Sequence, residues 1–248
     1  LAREQADPAL VRTWRRTIQF FGQVEYTFRP GGYYVLKSTP EDGQFSPEFI
    51  RGRYTQDENR LALKPYSGTE AGYEVDVFGD TLTLITKDAF HGESASYEAL
   101  PGSGPEVAAK AAEAEAFLSR ENWQVGVWEI RDGVHTVDLT LRPDGHYSAT
   151  NDVEILWGMV RGRYELESRR IRLLPFVGQG LYSRDNGDFG KVERSRELDY
   201  YDGELQLIDL EAISQSVTIA RKRPGTEATV TEKSLQAQVE RAREEWLV

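Results

Sequence analysis

The sequence predicts a mainly all-β protein: two tandem antiparallel β-barrels joined by an α-helix, with a second α-helix at the C-terminus. Three observations carry this. The same blocks occur twice in the same order, the blocks alternate apolar and polar residues, and the stretches outside the copies read as helices. The clearest repeat is Arg-Gly-Arg-Tyr, in FIRGRYTQDENRLALKPY (49–66) and in MVRGRYELESRRIRLLPF (159–176), with Arg51 and Arg161 110 residues apart. VEYTFRPGGYY (24–34) matches VDLTLRPDGHY (137–147) at an offset of 113, and EVDVFGDTLTLI (74–85) matches ELDYYDGELQLI (197–208) at 123. Trp14 and Trp128 lead the copies, 114 apart. Such an ordered set denotes a duplication.

The first copy spans 10–102. Val24, Tyr26 and Phe28 alternate with Glu25, Thr27 and Arg29, and Leu61 and Leu63 with Arg60, Ala62 and Lys64. Period two means strands with one buried and one wet face. RPGG and RPDG are turns, since Pro presets φ and Gly accepts a positive φ. FGDT and YDGE are further hairpin signals. A sheet of this size must hide its apolar face, and closing into a barrel also removes its edges.

Residues 103–121, SGPEVAAKAAEAEAFLSRE, join the copies as a helix. Ala is a strong helix former, Pro105 suits a first turn, and Ser103 with Glu106 has the register of a capping box. The second copy, 122–224, repeats the strand pattern in Ile171/Leu173 and Leu205/Leu207. The tail, 229–248, reads as an amphipathic helix with Leu235, Val239, Ala242 and Trp246 on one stripe that needs a surface to cover.

Composition narrows the function. A net charge of -11 and a pI near 4.9 argue against nucleic acid, which requires clustered Lys and Arg. No apolar run reaches the ~18 residues of a transmembrane helix, so no membrane span is expected. The absence of cysteine excludes disulfides, thiolate metal sites and cysteine nucleophiles. The first residue is Leu1 rather than Met, which implies a removed signal peptide or a trimmed tail. A signal peptide would place the protein in the periplasm or outside the cell.

GVW (126–128), an apolar-x-apolar strand running into Arg-Pro-Asp-Gly-x-Tyr, then Gly-x-Tyr and further apolar-x-apolar pairs together resemble a small bacterial lipocalin-like (calycin) domain. The resemblance covers both copies, although the first reads RTW (12–14) where the second reads GVW. It implies eight-stranded up-and-down barrels with an apolar interior that often holds a small hydrophobic or amphipathic ligand. It implies no particular activity.

The lumen candidates are Tyr26, Phe28, Tyr34 and Tyr54 in the first copy and Leu139, Leu141, Tyr147 and Tyr164 in the second. They line either a ligand cavity or a core filled by its own side chains. Buried tyrosines favour the cavity, because their hydroxyls want partners. The repeated arginines alternate out of phase with Tyr54 and Tyr164, so they form an outer charge ladder with Glu25 and Asp138 rather than a carboxylate clamp. The RPDG turn is expected to pair Leu141 with His146. That leaves His135 about 20 Å along the hairpin, so the two histidines cannot share an ion. His91 has no counterpart. SRDNGDFG (183–190) does not meet the calcium-loop register. No metal, cofactor or catalytic set is expected.

The drift from 110 to 123 places an insertion at 177–196 in the second copy, with Tyr182 and Phe189 as lid candidates. That favours the second barrel as the ligand-binding one. Phe49, Trp157 and Met159 share parity with the outer arginines and are interface candidates for a protein partner or a second copy. Three functions follow: a binding protein for a small apolar or amphipathic molecule, an interaction module with solid barrels, or an enzyme acting on an apolar substrate through an acid–base pair that the sequence does not reveal.

Overall fold

The structure is a computed structural model that describes residues 7–41, 46–66, 68–86, 93–132, 135–151, 160–176, 194–209 and 216–245. Eight strands precede a helix: β1 Thr13–Ile18, β2 Gly22–Arg29, β3 Tyr33–Thr39, β4 Glu48–Asp57, β5 Arg60–Pro65, β6 Ala71–Phe78, β7 Thr81–Thr86, β8 Ser94–Ala99 and α1 Ser103–Leu118. Eight more precede another: β9 Gly126–Asp132, β10 His135–Leu141, β11 His146–Asn151, β12 Val160–Glu167, β13 Arg170–Pro175, β14 Arg194–Tyr201, β15 Glu204–Asp209, β16 Ser216–Lys222 and α2 Thr226–Glu245. Each set closes into an antiparallel barrel in which every strand pairs with its sequence neighbours and the last returns to the first. The chain divides into two compact units, Leu1–Glu113 and Ala114–Val248.

The alternation read from sequence is the alternation of the barrels. Val160, Gly162 and Tyr164 are buried between exposed Arg161, Arg163 and Glu165. Hairpin turns fall at FGDT and YDGE, with Gly79, Asp202 and Gly203 at positive φ. One register differs from expectation. Leu141 pairs with Tyr147, not His146. Pro143, Asp144 and Gly145 form a three-residue loop closed by the Arg142 carbonyl and the amide of Gly145, and by the Arg142 amide donating to the His146 carbonyl. This sends Tyr147 inward and leaves His146 outside beside Asp144.

The purpose of Arg-Gly-Arg-Tyr is now visible. Gly52 lies opposite Tyr34 and Pro65, and Gly162 opposite Tyr147 and Pro175. A Cβ on Gly52 would stand 2.8 Å from the Tyr34 ring and 2.3 Å from the Lys64 carbonyl oxygen; on Gly162 it would stand 2.5 Å from the Tyr147 ring. The glycine makes room for the tyrosine ring. The motif tyrosine then fastens the preceding turn: Tyr54 donates to the Arg29 carbonyl at 2.9 Å, and Tyr164 to that of Arg142 at 2.6 Å.

The repeat also extends further than the four blocks. Pro101-Gly102-Ser103 answers Pro224-Gly225-Thr226, 123 residues on. Ser103 Oγ does not cap α1 in a box with Glu106. It accepts from the Thr13 amide at 3.1 Å and donates to the Leu100 carbonyl at 2.7 Å, while Glu106 pairs with Lys110. Thr226 Oγ1 does the same, accepting from Val127 and donating to Arg223. Each barrel is therefore followed by its own helix, pinned where the first strand starts. α1 ends at Leu118, short of 121, and α2 begins at Thr226, ahead of 229.

That pin fixes the rotation of α2. Val230 and Ser234, one turn apart in line with Thr226, are buried. The expected stripe is not the covered face: Leu235 and Val239 are 56% and 52% exposed. Trp246 and the side chain of Ala242 lie outside the described residues. Val107 of α1, 123 residues before Val230, is likewise buried. The end of α1 belongs to the second unit, where Phe117 stacks on Tyr200 at 4.0 Å and meets Trp123 and Trp128 edge-on or tilted.

Candidate binding site

Both leading tryptophans sit at one end of their barrels, fully buried. Trp14 Nε1 donates to the Leu10 carbonyl at 3.0 Å and Trp128 Nε1 to that of Gln124 at 2.7 Å. The segment before each first strand thus folds under the barrel, with Leu10 in the first core and Trp123 in the second. A cation covers each indole, but from a different part of the copy. Arg12 stands 5.2 Å from the Trp14 ring, while Lys222 Nζ stands 5.6 Å from that of Trp128 and donates to the Trp123 carbonyl.

All eight lumen candidates are buried: Tyr26, Phe28, Tyr34, Tyr54, Leu139, Leu141, Tyr147 and Tyr164. In the first barrel they do not leave a hollow at the tryptophan end. Phe28 stacks on Tyr26 at 5.7 Å and meets Tyr54 edge-on at 5.1 Å, and Tyr34 packs within 6.5 Å of both Tyr26 and Phe28. Tyr54 and Tyr164 donate their hydroxyls to turn carbonyls.

The opposite end of the first barrel differs. Val24, Leu36 and Tyr73 pack against the core but are only half-buried, and Ile50 is 39% exposed. Phe20 and Phe21 on the β1–β2 turn and Phe49 on β4 add exposed aromatic surface around this mouth. Phe49 is 49% exposed, with the Arg51 guanidinium 5.2 Å from its ring. Trp157 and Met159 lie outside the described residues, as do the lid candidates Tyr182 and Phe189, SRDNGDFG and His91.

Sequence reasoning passed over the most distinctive residue here. Arg16 shares the inward parity of Trp14 on β1 and pairs in register with Val24. Its guanidinium donates to the Tyr97 hydroxyl, and Tyr97 meets Tyr26 edge-on at 5.4 Å. Tyr26 is hydrogen-bonded to Tyr73. Burial pushes the phenols of Tyr26 and Tyr97 above their ordinary value; at Tyr26 the neighbouring tyrosines push the same way, while at Tyr97 the Arg16 charge pulls back. Burial raises Tyr34 to about 12. An arginine among neutral phenols is a polar centre inside an apolar barrel.

The second barrel is arranged otherwise. Ile130 takes the place of Arg16, and the interior arginine is Arg196 on β14, only 4% exposed. Its cross-strand partner is Asp209, 2% exposed, so this barrel carries an interior carboxylate opposite its interior guanidinium. Burial raises Tyr147 to about 12 against the pull of Arg196.

The outer arginines behave as the alternation implied, with different partners. Glu25 pairs with Arg15 at 2.5 Å and Lys37 at 3.7 Å, and Asp138 with Arg223 at 2.7 Å. Arg53 stacks on Tyr33 and donates to its hydroxyl at 2.9 Å. Among the described residues no group of three His, Asp or Glu side chains is placed to hold a metal ion, and no helix is long and apolar enough to cross a membrane.

No protein-family model matches this chain, and no curated protein is significantly similar to it. The class that the fold defines is a protein of two closed eight-stranded antiparallel barrels.

Proposed function

We propose that the protein binds a small hydrophobic or amphipathic molecule at the open end of a barrel, and that each barrel is of the lipocalin-like type. The observation that carries this is the contrast between the two ends of the first barrel. One end is packed with Leu10, Trp14 and Phe28, all fully buried, while the other presents half-buried Val24, Leu36 and Tyr73 with Ile50 exposed. Ligand sites are largely apolar and supplied with a few placed polar groups, and this end combines these two features. The up-and-down closure and the buried tryptophan leading each copy support the lipocalin-like reading.

The expected insertion at 177–196, which favours the second barrel, lies mostly outside the described residues. Among the described residues the first barrel has the more specific lining, with Arg16 and Tyr97 beside Tyr26 and Tyr73. The test is titration with Nile red, a neutral lipophilic dye, against the intact protein and a Leu36→Trp variant that fills the mouth. Saturable binding in the intact protein and its loss in the variant are expected. Absence of saturable binding in both would leave the barrels as solid interaction modules. Exposed Phe20 and Phe21, at 81% and 77%, favour that second reading.

A further inference from the structure

Resting on that reading, we propose that the ligand of the first barrel carries a single negative charge, a carboxylate in the simplest case, bound by Arg16. An arginine directed into a barrel is costly unless its charge is answered. Among the described residues no carboxylate forms an ion pair with Arg16. Glu48 shares the inward parity of Ile50 but is exposed at the rim. The surroundings of Arg16 are instead phenols: Tyr97 accepts one of its hydrogen bonds, Tyr26 meets Tyr97 edge-on at 5.4 Å, and Tyr34 and Tyr73 stand beside Tyr26. Neutral hydroxyls donate to an anion and cannot cancel a cation.

The geometry suits an amphiphile. A guanidinium offers a planar fork of donors matched to a carboxylate, and charge-assisted pairs of this kind are the stronger hydrogen bonds. Beside the fork, its cross-strand partner Val24 and, one register row nearer Trp14, Leu36 and Ile50 give a half-buried to exposed apolar wall. The second barrel lacks this arrangement. Its interior arginine already faces Asp209 across the strands, and an added anion would meet that carboxylate.

The test compares parinaric acid with its uncharged alcohol, by fluorescence, on the intact protein and on Arg16→Leu and Arg16→Gln. The acid is expected to bind the intact protein about 10- to 100-fold more tightly than the alcohol, and the two to become equal in both variants. Retained alcohol binding shows that a variant is folded. Equal binding of acid and alcohol to the intact protein, or an undiminished preference for acid in Arg16→Leu, would overturn the role of Arg16 while leaving a lipophile site. Failure of both probes to bind the intact protein would instead remove the binding function and the headgroup with it.

Discussion

A Cβ on Gly126 would stand 2.9 Å from Cε of Lys222. Lys222 is the cross-strand partner of Trp128, and only a bare backbone at Gly126 lets its stem lie across that indole. In the first barrel both positions are exchanged. Arg12 stands where Gly126 does, and Ala99, the partner of Trp14, stands where Lys222 does. The difference between RTW and GVW is thus one half of a compensating pair. Each barrel keeps one cation over its tryptophan and one small residue to admit it.

This pair predicts a rescue. Gly126→Ala should destabilise the second unit by about 1–3 kcal/mol, through the crowded Cβ and the loss of a favourable residue at a φ of +135°. In the first unit, Arg12→Gly should be destabilising alone and be recovered in part by adding Ala99→Lys. Thermal unfolding with near-ultraviolet circular dichroism of the tryptophans measures both. Independent, additive effects of Arg12→Gly and Ala99→Lys would refute the exchange.

The motif glycines should tolerate no side chain. Gly52→Ala and Gly162→Ala each bring a methyl against a tyrosine ring and a backbone carbonyl, so a loss of about 2 kcal/mol or more is expected for each. Wild-type melting of either variant would show that the sheet yields more readily than the contact distances imply.

Tyr54→Phe and Tyr164→Phe remove a hydroxyl from the buried carbonyl of Arg29 and the partly buried carbonyl of Arg142 respectively. Each should cost about 1 kcal/mol in denaturant unfolding with an unchanged m-value. Equal stability of both variants would mean that water replaces the bond.

Phe117→Ala should weaken the second unit by about 2–4 kcal/mol and spare the first, because the ring packs on Tyr200, Trp123 and Trp128. A fragment of residues 114–248 should accordingly be more stable than one of residues 122–248. The reverse order in a melting comparison would contradict this.

Alkaline pH should unfold the protein through its tyrosines. A phenol raised from 10 to about 12, as at Tyr34 and Tyr147, holds its proton in the folded state while the unfolded chain loses it. Stability is then complete below pH 10 and falls between 10 and about 12. Ultraviolet titration of phenolate together with unfolding measures this. Early ionisation of all the tyrosines without unfolding would refute it.

The barrels were legible because alternation is strict where one face is buried, and a repeat tests each assignment twice. Tyr26, Phe28, Tyr147 and Tyr164 were placed inward on that basis. Arg16 was legible too, by its parity with Trp14, but two consecutive arginines invite a reading of surface charge. The Leu141 register was missed because Arg-Pro-Asp-Gly fits both a four-residue turn and the three-residue loop that Gly145 allows. Ser103 reads as a cap because a hydroxyl at a helix start usually serves its own helix, and Thr226 stands in the same place at α2, ahead of the expected start at 229. Here it serves a strand about a hundred residues away, which no local pattern encodes. The face of α2 followed from that hydroxyl and was hidden with it.

The Ser103 and Thr226 latches bear on the order of events during synthesis. Each joins the first strand of a barrel to the residue that ends it, 90 and 99 positions apart respectively. A ring of strands made from one end has no seam to close until its last strand leaves the ribosome, and contacts this distant form slowly. The first barrel can be sealed while the second is still being translated. The second must wait with β9 exposed until Thr226 has emerged, so the later half of the chain is the one that most needs shelter while it is being made.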